Sequence, residues 1–140
     1  MIFCYLTIYN MEEKMKGLSV VLSLLAVLFL ATGVIAADKA AISKNVDGIA
    51  AALDGGKTAA DFKADAYTPY AFIMEQGGNL LVHPSLAGQN LKDKAAPVYE
   101  AVAKATPEGV WVDYEWQGAK KHSYVKKTKA GLIVGSGYSD

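Results

Sequence analysis

Residues able to carry chemistry are few in this chain. It holds two histidines, His83 and His122, and a lone cysteine, Cys4. His83 lies in NLLVHPSLAGQN, Asn79 to Asn90, at the end of a short apolar run and directly before a proline. Two histidines so far apart, with no cysteine nearby and no His-x-x-x-His spacing, make no metal-ligand cluster. Gly135-Ser136-Gly137 lacks the Gly-x-Ser-x-Gly form of a nucleophile elbow and falls in a stretch that reads as strand. Its glycines more simply give room for the close approach of a neighbour. Asp113 and Glu115 point the same way on another strand, where alternating acids are ordinarily a solvated face. Hydrolysis therefore has no positive support, and no catalytic residue, metal or cofactor is expected.

What remains is an aromatic and polar set on predicted strands: Tyr70, Phe72, His83, Trp111, Tyr114, Trp116, Lys121, His122, Tyr124 and Lys126. Pockets for small ligands combine apolar and aromatic walls with a few convergent polar groups, which is this mixture. Taken singly, each aromatic is better explained as core with a hydroxyl at its rim.

The elements that would position these groups are legible from hydrophobic spacing. Ile42, Val46, Ile49 and Leu53 form one stripe and predict a helix over Ala37–Leu53, stopped by Gly55-Gly56. Thr58 three residues before Asp61 resembles a capping box opening a short helix. From Tyr70 the period becomes two. YAFIME, QGGN and LLVH read as a hairpin, with Tyr70, Phe72 and Met74 on one face. Pro84 cannot donate to a ladder and ends the second strand just after His83. Ser85 to Glu108 is then a connection whose helical part is PVYEAVAK, Pro97–Lys104, with proline suited to a first helical position. VWVDYEW, HSYVKK and GLIVGSGY complete five strands joined by short turns, hence an antiparallel sheet in an α+β domain. A sheet apolar on both faces needs cover on both. The first helix is expected to cover one face and the Ser85–Lys104 connection the other.

The amino-terminal segment stands apart. Lys14 and Lys16 precede an uncharged apolar run from Gly17 to Ala37 that ends in small residues, the pattern of a secretory signal peptide over residues 1–36. Met11 or Met15 would make a more ordinary start than Met1. The other reading of the run is an uncleaved membrane anchor. Residues 37–140 then form a single domain without cysteine, which excludes disulfides and thiolate sites. Fourteen basic and fourteen acidic residues give no net charge, and no arginine occurs anywhere, so nothing suggests a nucleic-acid surface.

The order of the motifs YAFIMEQGGNLLVHPSLAGQNLKD, GVWVDYEW, KKHSYVKK and IVGSGY resembles the single Cache domain of the Cache_2 type, the extracytoplasmic sensor module of bacterial chemoreceptors and histidine kinases. The likeness runs from Ala37 to Asp140. It implies a PAS-like fold in which a long amino-terminal helix backs a five-stranded antiparallel sheet, with a ligand on the opposite face beneath the connection after His-Pro. It also implies a small organic ligand, with Tyr70 and Phe72 as pocket wall, His83 as donor, Trp111 and Tyr114 as aromatic walls, and Lys121 and Tyr124 as anion partners. No residue would be altered chemically. One departure is geometric. Lys121 and Tyr124 are three apart and on a regular strand face opposite sides, so either a bulge re-aims one or Lys126 is the cation.

The expectation is a secreted or periplasmic binding domain for a short carboxylate or related metabolite. It would act in sensing, or in presentation to a membrane-bound receptor or kinase. The alternative is an interaction module without a ligand, tethered by an uncleaved anchor.

Overall fold

The computed structural model describes residues 38–140. The signal segment read over residues 1–36 lies outside them. Helix α1, Lys39–Asp54, is opened by Asp38, whose carboxylate accepts from the Ala41 amide at 3.0 Å. Its buried residues are Ile42, Val46, Ile49 and Ala50, so the stripe read from spacing is the face that packs. The Thr58–Asp61 capping box is present, with the Asp61 carboxylate accepting from the Thr58 amide at 2.9 Å, but it opens a single 3-10 turn, Ala59–Asp61, rather than an α-helix. A second such turn covers Ala64–Ala66.

Strands β1, Ala71–Met74, and β2, Leu80–Val82, form the hairpin. Gly78 sits in its turn at φ 101°, a conformation that L side chains resist. The lid follows. Asn90 caps the short helix α2, Leu91–Lys94, by accepting from the Asp93 amide at 3.2 Å. The same side chain donates to the Gly77 carbonyl at 3.1 Å and to Asn79 Oδ1 at 2.9 Å, tying the lid to the hairpin turn. Helix α3 runs Ala96–Val102 with Pro97 in its first turn, one residue earlier at its start and two shorter at its end than the proline-based expectation. The Tyr99 hydroxyl donates to the Gln76 carbonyl at 2.6 Å, a second tie to the turn.

Strands β3, Val110–Trp116, β4, Ala119–Lys127, and β5, Ile133–Ser139, complete the sheet in the order β2-β1-β5-β4-β3, every pair antiparallel. Gln117 and Gly118, at φ 52° and 81°, make the two-residue turn between β3 and β4. The chain is thus α+β with a five-stranded antiparallel sheet and, among the described residues, three α-helices. Apolar side chains divide by strand parity into two cores, except on β2, where a register irregularity against β1 sends Leu80 and Val82 to opposite faces. Ala71, Ile73, Val82 and Val134 meet α1 on one face. Phe72, Met74, Leu80, Val112, Val125 and Ile133 meet Leu91, Val98 and Val102 of the lid on the other.

Candidate functional site

A small cavity lies between the sheet and the lid. Tyr70, Phe72, His83, Tyr114 and Trp116 line it from the sheet side, and Leu91, Val98 and Val102 from the lid. Its volume is about 20 Å³, room for a body little larger than one water molecule.

His83 stands at the end of β2, where the chain turns into the lid. Its Nδ1 accepts from the backbone amides of Ser85, at 3.1 Å, and Leu86, at 3.0 Å. A ring nitrogen that accepts carries no proton, so the neutral ring holds its hydrogen on Nε2 and is a donor there. Burial, followed by the nearby positive charge of Lys121, lowers the imidazole pKa to about 4. Its ring meets the Tyr70 ring edge-on at 5.3 Å and the Trp116 ring at 6.4 Å.

Lys121 is 4 % exposed, unusually deep for a lysine. Its Nζ donates to the Tyr70 hydroxyl at 2.6 Å and lies 4.2 Å from the centre of that ring. Burial lowers its pKa to about 8. Among the described residues the ion pairs belong to His122, with Asp113 and Asp140, and to Lys126, with Asp47; Lys121 has no carboxylate partner. Tyr114 shares a hydrogen bond of 2.9 Å with Ser123, and burial pushes its hydroxyl up to about 12.

Lys121 is not itself a wall residue and meets the cavity through Tyr70, so the donors here are the Tyr70 hydroxyl, with its hydrogen free once the oxygen accepts from Nζ, and His83 Nε2–H, backed by the Lys121 ammonium bonded to Tyr70. No carboxylate lines it. Such a site suits a ligand rich in acceptors.

Four of the seven residues implied by the family resemblance line the cavity, Tyr70, Phe72, His83 and Tyr114, and a fifth, Lys121, is hydrogen-bonded to Tyr70. Trp111 and Tyr124 do neither. The register of β3 with β4 runs unbroken from Val110↔Val125 to Trp116↔Ala119, so no bulge re-aims a side chain, and residues three apart face opposite ways. Trp111 and Tyr124 pack on each other, centroids 5.6 Å apart, within the core on the α1 face. The Tyr124 hydroxyl donates to Asp47 at 3.1 Å, and Lys126 Nζ donates to the same oxygen at 3.1 Å. Lys126 is thus a tether for α1, and Lys121 is the cation on the cavity side. Five wall residues are missing from the implied set, the aliphatic Leu80, Leu91, Val98 and Val102 and the aromatic Trp116, and parity with Tyr114 on β3 was the signal for Trp116.

No protein-family model matches this chain, and no curated protein does. Function rests on the site itself.

The imidazole gives a direct stability prediction. A base whose folded pKa is lowered costs nothing above its unfolded pKa, near 6.5, and destabilises progressively as pH falls towards the folded value near 4. Unfolding midpoints in urea at pH 7 and pH 4.5 should therefore fall further for the native sequence than for His83→Asn, which keeps an acceptor for the Ser85 and Leu86 amides but does not titrate. An equal fall in both proteins would mean that other groups carry the acid sensitivity.

Proposed function

We propose that this protein is an extracytoplasmic binding domain for a small organic anion, a short carboxylate in the first instance, which it holds without transforming. The observation that carries the reading is Lys121: a cation 4 % exposed, with a tyrosine oxygen as partner and, among the described residues, no carboxylate. Burying a charge without a counter-charge is unfavourable, and a ligand carboxylate would supply what the fold omits. Tyr70 and His83 Nε2–H would add direction as donors. Aromatic and aliphatic walls would supply the remaining contact.

The strand order β2-β1-β5-β4-β3, with a helix on one face and a lid on the other, is in keeping with a PAS-like domain of the Cache kind. On that reading the apolar amino-terminal segment directs export, and the domain senses its ligand or presents it to a membrane receptor or kinase. A cavity of about 20 Å³ means that anything larger than a few atoms enters only as α2 and α3 shift from the sheet. Binding should then alter amide exchange in residues 85–104 before it does so in β4 or β5.

A thermal-shift series of formate, acetate, longer carboxylates and matched amines tests the reading. Carboxylates should raise the melting temperature and amines should not. The pH profile is diagnostic because binding needs the ammonium. With the free amine near pH 8, affinity should be flat between the carboxylic acid's own pKa and that value and fall about tenfold per pH unit above it, until the higher pKa of the complex is reached. No stabilisation by any compound would instead favour an interaction module that uses the fold as a docking surface.

A further inference from the structure

We propose that Lys121 is a carbamylation site: its buried amine, set against the Tyr70 hydroxyl beside an apolar cavity of molecular size, takes up carbon dioxide. The proposal shares with the carboxylate reading the premise that Lys121 is reached from the cavity, but it uses the free amine rather than the ammonium.

The surroundings of Nζ favour loss of its charge. It has one oxygen partner, Tyr70 at 2.6 Å, for the three hydrogens of an ammonium, and no carboxylate within ion-pair distance among the described residues. An unpaired charge out of water is disfavoured relative to the neutral amine, which agrees with a pKa lowered to about 8. At neutral pH roughly a tenth of the molecules then hold a nucleophilic lone pair at this position, far more than at a lysine of ordinary pKa. Cross-strand from Lys121 stands Tyr114, which together with Tyr70 belongs to the cavity wall.

The cavity sets the electrophile. Phe72, Leu80, Val98 and Val102 make its walls apolar, so an uncharged molecule enters with less desolvation than an anion. At about 20 Å³ it admits only a molecule of a few heavy atoms. Carbon dioxide is uncharged, triatomic and electrophilic at carbon. In the step, the Nζ lone pair forms a bond to that carbon, one C=O π pair moves onto oxygen, and one N–H proton passes to solvent. The product is a carbamate, with no oxidant or reductant needed. Starting from the ammonium, one further proton is released beforehand. An unpaired cation is thereby exchanged for an anion beside the Tyr70 hydroxyl and the His83 Nε2–H donor, both of which can hydrogen-bond it.

The experiment uses the unaltered full chain equilibrated with ¹³C-labelled bicarbonate and carbon dioxide at pH 8, alkylated with a trialkyloxonium salt to fix any carbamate, and mapped by peptide mass spectrometry. The expected result is an alkoxycarbonyl group on Lys121 well above the level on exposed Lys44 and Lys57, reduced at pH 6.5 and diminished in Tyr70→Phe. Labelling of Lys121 no greater than that of the exposed lysines, or none, overturns the proposal. The native-sequence map alone decides the proposal, and the Tyr70→Phe comparison is read only where that variant's melting transition shows it folded. A parallel thermal-shift measurement with formate in carbon-dioxide-free buffer separates the two readings. Stabilisation by formate without a Lys121 adduct leaves the anion site standing and removes the carbamate, whereas an adduct without stabilisation does the reverse.

Discussion

Lys121→Met should make the protein more stable and weaken its response to anions. Methionine has nearly the length of the lysine stem and no charge to desolvate, and replacing buried ionic groups with apolar ones of similar volume is neutral or stabilising, by about 1–4 kcal/mol. The variant also loses the hydrogen bond to Tyr70, which puts the expected gain at the low end, about 1 kcal/mol, and raises the melting temperature of a domain of this size by about 4–8 °C. The same change removes a charge-assisted hydrogen bond to a bound carboxylate, and affinity should fall about tenfold to a hundredfold. The pH dependence must change in step. In the native sequence the penalty of the buried ammonium is full below pH 8 and disappears between 8 and 10.5, so stability gains a contribution across that window that the variant lacks. Calorimetry at pH 7 and pH 9.5, with an acetate titration alongside, checks all of this together. A lower melting temperature with acetate binding retained would mean that Lys121 is a structural tie to Tyr70 and nothing more.

Gly135→Ala attacks the site from beneath. Gly135 lies on β5 opposite Phe72 of β1, and a Cβ built there would stand 2.3 Å from Phe72 Cζ and 2.6 Å from its Cε1. The ring rests directly on the glycine. Backbone conformation is not the obstacle, since Gly135 is absent from the positive-φ residues; the obstacle is a ring that is 5 % exposed and packed among Met74, Val125 and Ile133. The ring must move, and the free space open to it is the cavity. Overpacking of this kind costs about 1–3 kcal/mol, and the displaced ring would fill the volume that a ligand needs. Melting temperature and carboxylate stabilisation should therefore both drop. Adding Phe72→Leu to Gly135→Ala should recover much of the stability, which a double-mutant cycle measures. Full stability and full binding in Gly135→Ala alone would mean that Phe72 is not the floor of a ligand site.

How far the sequence foretold this structure depended on which regularity carried the information. Period 3.6 located the buried stripe of α1, and period 2 with Gly/Asn turns located all five strands, because those patterns are imposed directly by burial. Parity also decided the faces on β1, β3, β4 and β5, whereas in β2 an irregular register with β1 sends Leu80 and Val82, two apart, to opposite cores, and the family likeness joined residues of opposite faces. It grouped Trp111 with Tyr114 and Lys121 with Tyr124 by motif, although an odd separation on a regular strand sets each pair on opposite faces. The geometric objection was visible in the residue numbers, and the intact register upholds it. The lid was partly legible. Val98 and Val102 repeat at helical spacing, and Pro97 marks the first turn of α3. Leu91 carried no such mark, because the four-residue helix that presents it exists through the Asn90 cap and its ties to Gly77 and Asn79, contacts between segments that no local pattern encodes. The unpaired state of Lys121 was illegible for the same reason. It is a statement about every acid that does not come near.

One strand carries both the buried cation and the anchor of the first helix. Lys121 leaves β4 towards the cavity, while Tyr124 and Lys126 leave it on the other side and hold Asp47 of α1. Because β4 is an inner strand with unbroken ladders to β3 and β5, what its side chains hold on the two faces is held by one stiff piece of backbone, with Lys121 on one side of it and Asp47 against the other.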